Sequence, residues 1–152
     1  HRGGKVRFGE LNVEREDYSK LGQDAVSKLA NVMHAYDLDR RLRSHGHKTN
    51  AIAVHPGVSD TELTRHMGTV VQKFLMPLTR PIFNTAAQGA WPALMAATSP
   101  SVHGGEYLGP GGLTEMAGEA TRVQSSRRSH DVDTAKRLWD VSIEMTGVDP
   151  GI

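Results

Sequence analysis

At 152 residues, with 18 Lys+Arg against 17 Asp+Glu and a net charge of +1, the chain has the length of one domain and no charge excess to drive it onto nucleic acid or an acidic membrane. It has no cysteine, which excludes disulfides and thiolate metal sites, fits a reducing compartment and makes a cytoplasmic location the expectation. Pro77, Pro81, Gly89 and Pro92 interrupt the apolar runs, so nothing is long enough to span a bilayer, and His1-Arg2-Gly3-Gly4-Lys5 opens the chain without the apolar stretch of a secretory signal.

Residues 1–23 read as loop with one short extended piece at 5–8, tacked down by Leu11 and Tyr18. A first helix is predicted to open near Asp24, whose carboxylate suits an N-cap. Val26, Leu29, Ala30, Met33 and Tyr36 recur at three- and four-residue steps as an apolar stripe, with Asp37, Asp39, Arg40, Arg41 and Arg43 facing outward and Gly46 as the stop. Residues 51–54 are wholly apolar, the pattern of a parallel strand covered on both faces. Helix followed by buried strand is half of a βαβ unit and implies an α/β fold.

After Gly57, Ser59 or Asp60 is placed to cap a short helix. Residues 68–83 are apolar and punctuated by proline, and read either as a flap over a pocket or as a surface helix packing locally. Thr85-Ala86-Ala87-Gln88 has capping-box spacing and is predicted to open a helix through Ala97, bent at Pro92. Residues 104–112 read as a short strand ending in a turn. A last helix is predicted over 131–145, with Ala135, Leu138, Val141, Ser142 and Met145 on one side and Gly147 as its stop.

Lys28 is the strongest candidate for chemistry. A lysine one turn into a helix that precedes a buried strand points toward the C-terminal edge of a sheet, where open α/β folds bind ligands. The plainer reading is a solvated lysine paired with Asp24 at i, i+4. At the strand end, Pro56 stops the hydrogen-bond ladder, Gly57 lets backbone approach a ligand, and a following helix start offers free amides; an ordinary turn has the same composition. His45 and His47 are the only close histidine pair and lack an acidic residue at ligand spacing, so no metal site is predicted. Arg127-Arg128 has no interleaved aromatics, so nucleic-acid binding is not expected.

Ser27-Lys28-Leu29-Ala30-Asn31-Val32, then Asp39-Arg40-Arg41-Leu42, then Asn50-Ala51-Ile52-Ala53-Val54-His55-Pro56-Gly57, resemble the back half of a short-chain dehydrogenase/reductase, in its retinol-dehydrogenase-like branch. Gly89-Ala90, Gly105-Glu106-Tyr107-Leu108-Gly109-Pro110, Leu138-Trp139 and Thr146-Gly147-Val148 extend the likeness over nearly the whole chain. Tyr107 and Trp139 are expected to be core. The resemblance implies one domain over 1–152, the C-terminal part of a Rossmann-like doubly wound parallel sheet with flanking helices. The family's Thr-Gly-x-x-x-Gly-x-Gly nucleotide-binding half is expected to be absent, and its catalytic serine to fall just upstream of residue 1. Residues 109–112 are no substitute for that loop, because Pro110 lacks an amide.

In the family, the lysine matching Lys28 hydrogen-bonds the nicotinamide ribose and tunes a tyrosine four residues earlier. His55, Pro56, Gly57, Val58 and Thr61 match the Pro-Gly-x-x-x-Thr segment that faces the nicotinamide carboxamide and pyrophosphate. Asp24 stands where the tyrosine belongs. An ionised carboxylate accepts hydrogen bonds but donates none, and its side chain is shorter, so Lys28 and Asp24 make an impaired catalytic pair. Tyr18 matches a non-catalytic tyrosine of the branch.

The implied activity is hydride transfer between NAD or NADP and a small lipophilic carbonyl or alcohol, with residues 63–83 as the substrate flap. The implied assembly is a homo-oligomer through the 24–45 helix. The alternative is a non-catalytic interaction or assembly module descended from the family.

Overall fold

The computed structural model describes residues 3–8, 20–57 and 84–152. The predictions for Leu11, Tyr18, Val58, Ser59, Asp60, Thr61 and the 63–83 flap lie outside the described residues. Chain contacts divide the protein into two units, one of His1–Ala53 with Gln124–Ile152 and one of Val54–Val123.

The first unit is built on two helices, α1 (Lys20–Ser44) and the last helix of the chain (Val132–Thr146). Leu29 and Met33 of α1 pack with Ala135 and Leu138 of the last helix, and Val6, Phe8 and Ala30 close over that cluster. Leu29, Met33 and Ala135 are each 1% exposed. The predicted stripe is therefore used within the unit, against a second amphipathic helix. The guanidinium of Arg137 lies 4.3 Å from the Phe8 ring centre, extending the packing to the N-terminal arm.

Helix α1 begins four residues before the predicted start, so Asp24 is an exposed residue within the helix and not its N-cap. The C-terminus follows expectation. Gly46 takes a φ of 73°, its N–H donates to Arg43 O at 3.0 Å, and the N–H of His47 donates to Leu42 O at 2.9 Å. This is the Schellman arrangement, which satisfies the last carbonyls of the helix.

The predicted outward face of α1 is only half correct. Asp37 and Asp39 are each 2% exposed. Asp37 accepts from Arg40 at 2.9 Å and Arg41 at 2.8 Å; Asp39 pairs with Arg43 and accepts from the Ala51 amide at 3.3 Å. Each carboxylate can be buried because it is fully partnered there. Trp139 lies between two groups of α1, stacked on His34 at 4.9 Å and covered by the Arg41 guanidinium at 4.4 Å. Its burial, like that of Tyr107, agrees with the sequence reading.

Behind α1, a 3-10 turn at Arg127–His130 carries a polar cluster. Ser125 Oγ meets Tyr36 OH at 2.8 Å and His130 Nε2 at 3.0 Å, and accepts from Ser129 Oγ at 2.7 Å. Burial pushes the Tyr36 phenol up, partly opposed by its hydrogen bond to Ser125. The last helix starts on Asp131, whose carboxylate accepts the Thr134 amide at 3.0 Å, and stops at Gly147, as expected. Met145, expected on the inner side, is 55% exposed; the buried residues of the helix are Ala135, Leu138 and Trp139, more than a turn before it.

The second unit holds most of a three-stranded sheet in the order β1-β2-β3. Strand β1 (Ala53–Val54) is shorter than predicted and is covered on one side only, since Ala53 is buried and Val54 is 42% exposed. The connection to β2 (Tyr107–Pro110) contains helices α2 (Ala86–Gly89) and α3 (Trp91–Thr98). The Thr85 capping box forms as predicted, with the Gln88 amide on Thr85 Oγ1 at 3.3 Å and the Thr85 amide on Gln88 Oε1 at 2.9 Å. The single bent helix does not form. The chain breaks at Ala90, and Pro92 sits at the first positions of a new helix, where its missing N–H costs nothing.

Strand β2 then turns back as an antiparallel hairpin into β3 (Ala120–Arg122), pairing Leu108 with Arg122, Gly109 with Thr121 and Pro110 with Ala120. The sequence reading stopped at the turn and missed β3, whose residues carry no apolar alternation. The final helix, Val132–Thr146, is named α4 below.

Candidate functional site

Of the predicted site residues, Lys28 and Asp24 lie in the first unit, and His55, Pro56 and Gly57 in the second. Lys28 is exposed on α1, one residue before Leu29, which anchors that turn of the helix in the core. Among the described residues no ion pair joins it to Asp24, so the plainer pairing of the two is not formed. Asp24 is exposed as well, and its backbone carbonyl accepts from Ser27 Oγ at 2.9 Å.

The turn after β1 is more constrained. The amide of His55 donates to Leu108 O at 2.9 Å, which carries the ladder one residue past β1. The His55 ring lies over Gly109, where a Cβ would come within 2.0 Å of Nε2, and 5.0 Å from the Tyr107 ring. Its Nδ1 accepts the Gly57 amide at 3.3 Å, which places the proton of the neutral ring on Nε2, toward Glu115 Oε2 at 3.6 Å.

Gly57 has a φ of 75°, and a Cβ there would stand 2.4 Å from Met116 O. Only glycine fits, on both conformational and steric grounds. Pro56, by contrast, is exposed, so the apex of the turn is open to a ligand.

The loop of the β2–β3 hairpin closes over this turn. Its 3-10 segment, Leu113–Glu115, holds Thr114 and Glu115 at φ of 59° and 58°, both left-handed. Backbone in that region is held only where surrounding structure enforces it, and here it aims Glu115 at His55. Asn84, 2% exposed, completes the arrangement, with contacts to Pro56 O and to the Gly118 amide. Sequence reasoning missed Asn84, Glu115 and Gly118. Their one signal was local, a polar residue just before a capping box and a glycine-rich loop, and neither discloses a partner far away in the chain.

A separate cavity of about 190 Å³ in the first unit is lined by Leu29, Met33 and Val6 with Lys5, Arg128 and Asp131 at its polar side. It contains none of the predicted site residues. Among the described residues no group of three or more His, Asp or Glu is placed to hold a metal, and no helix is long and apolar enough to cross a membrane.

Retinol dehydrogenase 12 from Homo sapiens is 35% identical over 150 residues, covering 97% of this chain and 43% of that protein. Polyprenol dehydrogenase from Mus musculus is 33% identical over 153 residues, covering 99% of this chain and 43% of its own length. Retinol dehydrogenase 14 from Mus musculus is 32% identical over 155 residues, with coverages of 95% and 41%. A crystal structure of an uncharacterised protein from Mycobacterium paratuberculosis superposes with a TM-score of 0.70 at 26% identity, covering 98% of this chain and 47% of that one. No protein-family model matches the chain.

The chain belongs to the short-chain dehydrogenase/reductase family, a family of oxidoreductases, and its fold is the partial Rossmann-like α/β arrangement that its structural neighbour shares. It spans less than half the length of the curated relatives it matches.

Proposed function

We propose that the chain contributes the nicotinamide side of an NAD(P)-dependent oxidoreductase acting on a lipophilic alcohol or its carbonyl. The observation that carries this reading is Lys28, whose family counterpart binds ribose. Here it stands exposed on a helix anchored by Leu29, without an internal ion pair among the described residues. An exposed ammonium is a donor set that fits a ribose diol. The exposed Pro56 and the left-handed Gly57 fit a backbone surface for the carboxamide. Substrate class follows from the relatives, which are named for retinol and polyprenol, both long apolar alcohols.

The cofactor supplies the hydride acceptor or donor. The chain's own residues would supply position: Lys28 would donate to the ribose, and the His55-Pro56-Gly57 backbone would face the carboxamide and pyrophosphate, while Val58 and Thr61 are assigned to that role by the family likeness alone. Proton transfer is the weak step. Asp24 as a carboxylate has no proton to donate to a substrate carbonyl, so turnover by this chain is slow or absent.

Calorimetric titration with NADPH and NADH tests the reading. Saturable binding that weakens at least tenfold in Lys28→Ala is the expected result. No binding at millimolar cofactor by a folded chain would overturn it and leave the interaction module. Where binding holds, Asp24→Tyr is expected to raise turnover of a long-chain aldehyde.

A further inference from the structure

The peptide plane between Pro56 and Gly57 is held by side chains at both of its polar ends. Its N–H donates to His55 Nδ1 at 3.3 Å, and its carbonyl accepts from Asn84 Nδ2 at 3.3 Å. The other end of the Asn84 amide is also used, since Oδ1 accepts from the Gly118 N–H at 3.0 Å. Asn84 is 2% exposed, so both bonds lie away from competing water. Its orientation is unambiguous, because exchanging Oδ1 and Nδ2 would set an N–H against an N–H and an oxygen against an oxygen.

A Pro-Gly pair at the centre of a turn has two low-energy forms. In one, the second residue takes positive φ; in the other, the central peptide is rotated and that φ is negative. Glycine accepts both, so Gly57 by itself does not choose. The observed φ of 75° is the first form, with the peptide carbonyl turned toward Asn84. Helix α2 sits behind the same point, as a Cβ on Gly89 would stand 3.4 Å from Pro56 Cβ, and the Thr85 capping box holds the residue next to Asn84 in place.

We infer that Asn84 is a positioning residue that selects the orientation of the Pro56–Gly57 peptide and so presents the turn to the cofactor. This rests on the reading above, in which that turn faces the nicotinamide. Rotating the peptide would break its bonds to His55 and Asn84 and change the face that Pro56 and Gly57 present. The hairpin loop acts through the same residue: Gly118 holds Asn84 Oδ1, and Asn84 holds the turn.

Asn84→Asp tests this, because it preserves shape and the acceptor for Gly118 while removing the donor to Pro56. In the 15N-labelled full chain, amide exchange at Gly57 is expected to speed up at least tenfold while Gly118 stays near the wild-type rate. NADPH binding should weaken about tenfold. A general loss of packing would move both amides together. Asn84→Ala, which brings no charge inside, decides the matter if Asn84→Asp does not fold: there the Gly57 and Gly118 amides should both lose protection while the Gly111 amide, which donates to Glu119 O at 2.8 Å, keeps the wild-type rate. Wild-type exchange at Gly57 in a folded variant overturns the role of Asn84. Failure of the wild-type chain to bind NADPH or NADH overturns the cofactor reading instead, and the two exchange rates still decide whether Asn84 holds the turn.

Discussion

Gly57→Ala should be the most costly single-methyl addition in the turn, and the structure supplies its own control. Gly57 and Gly46 have nearly the same φ, 75° and 73°, so alanine pays a similar conformational penalty at each, about 1–2 kcal/mol. At Gly46 a Cβ would meet nothing within 4 Å. At Gly57 it would meet Met116 O at 2.4 Å and Pro110 Cγ at 2.7 Å. The first of these is backbone, held by the hairpin loop, and cannot swing away as the end of a side chain would. An overpacking cost of about 1–3 kcal/mol is added, for a total of about 2–5 kcal/mol.

Urea unfolding followed by tryptophan fluorescence reads the difference, with Trp91 reporting from the unit that contains Gly57 and Trp139 from the unit that contains Gly46. Gly89→Ala completes the series. Its Cβ would stand at ordinary contact distance, 3.4 Å from Pro56 Cβ, within helix α2, so the change is expected to be neutral to slightly stabilising. Equal losses for Gly57→Ala and Gly46→Ala would refute the close approach of the hairpin loop to the turn.

Asp37→Ala should cost about 2 kcal/mol, at the low end for charge-assisted bonds, because Arg40 and Arg41 are 40% and 26% exposed and recover water when freed. Burial raises the Asp37 carboxyl, but the hydrogen bonds and charges of Arg41 and Arg40 outweigh it and hold the group below its ordinary value. A depressed folded-state pKa contributes stability above the unfolded value of about 3.9 and loses it as pH falls through the folded value. Acid titration of unfolding should therefore show a loss below about pH 4 that Asp37→Ala flattens. Asp131 behaves in the same direction, held low by the Thr134 amide and hydroxyl; Asp131→Asn should keep the cap of α4 and remove its acid sensitivity, seen as a melting temperature that falls less between pH 5 and pH 3.

Local rules account for what was legible in the sequence. The Schellman stop at Gly46, the Thr85 capping box, the Asp131 start and the Gly147 stop each involve residues within a turn or two of one another, and each forms as the spacing predicts. The stripe through Leu29 and Met33 is equally local, and it was correct about burial. The family likeness was legible for a similar reason, since Ser27-Lys28-Leu29-Ala30-Asn31 and His55-Pro56-Gly57 are contiguous strings.

What the tertiary structure decided depends on partners distant in sequence. Asp37 and Asp39 pair with arginines one turn along α1, but they look like solvent residues until the packing of that helix and, for Asp39, the Ala51 amide enclose them. Pro92 looks like a kink until the chain breaks two residues earlier, at Ala90, and makes it a helix start. The Pro56–Gly57 turn has the composition of any strand end. Its single orientation is set by Asn84, by Gly118 and by a hairpin whose second strand has no apolar signature, because the energy that fixes it comes from hydrogen bonds and contacts that exist only once the chain has folded back on itself.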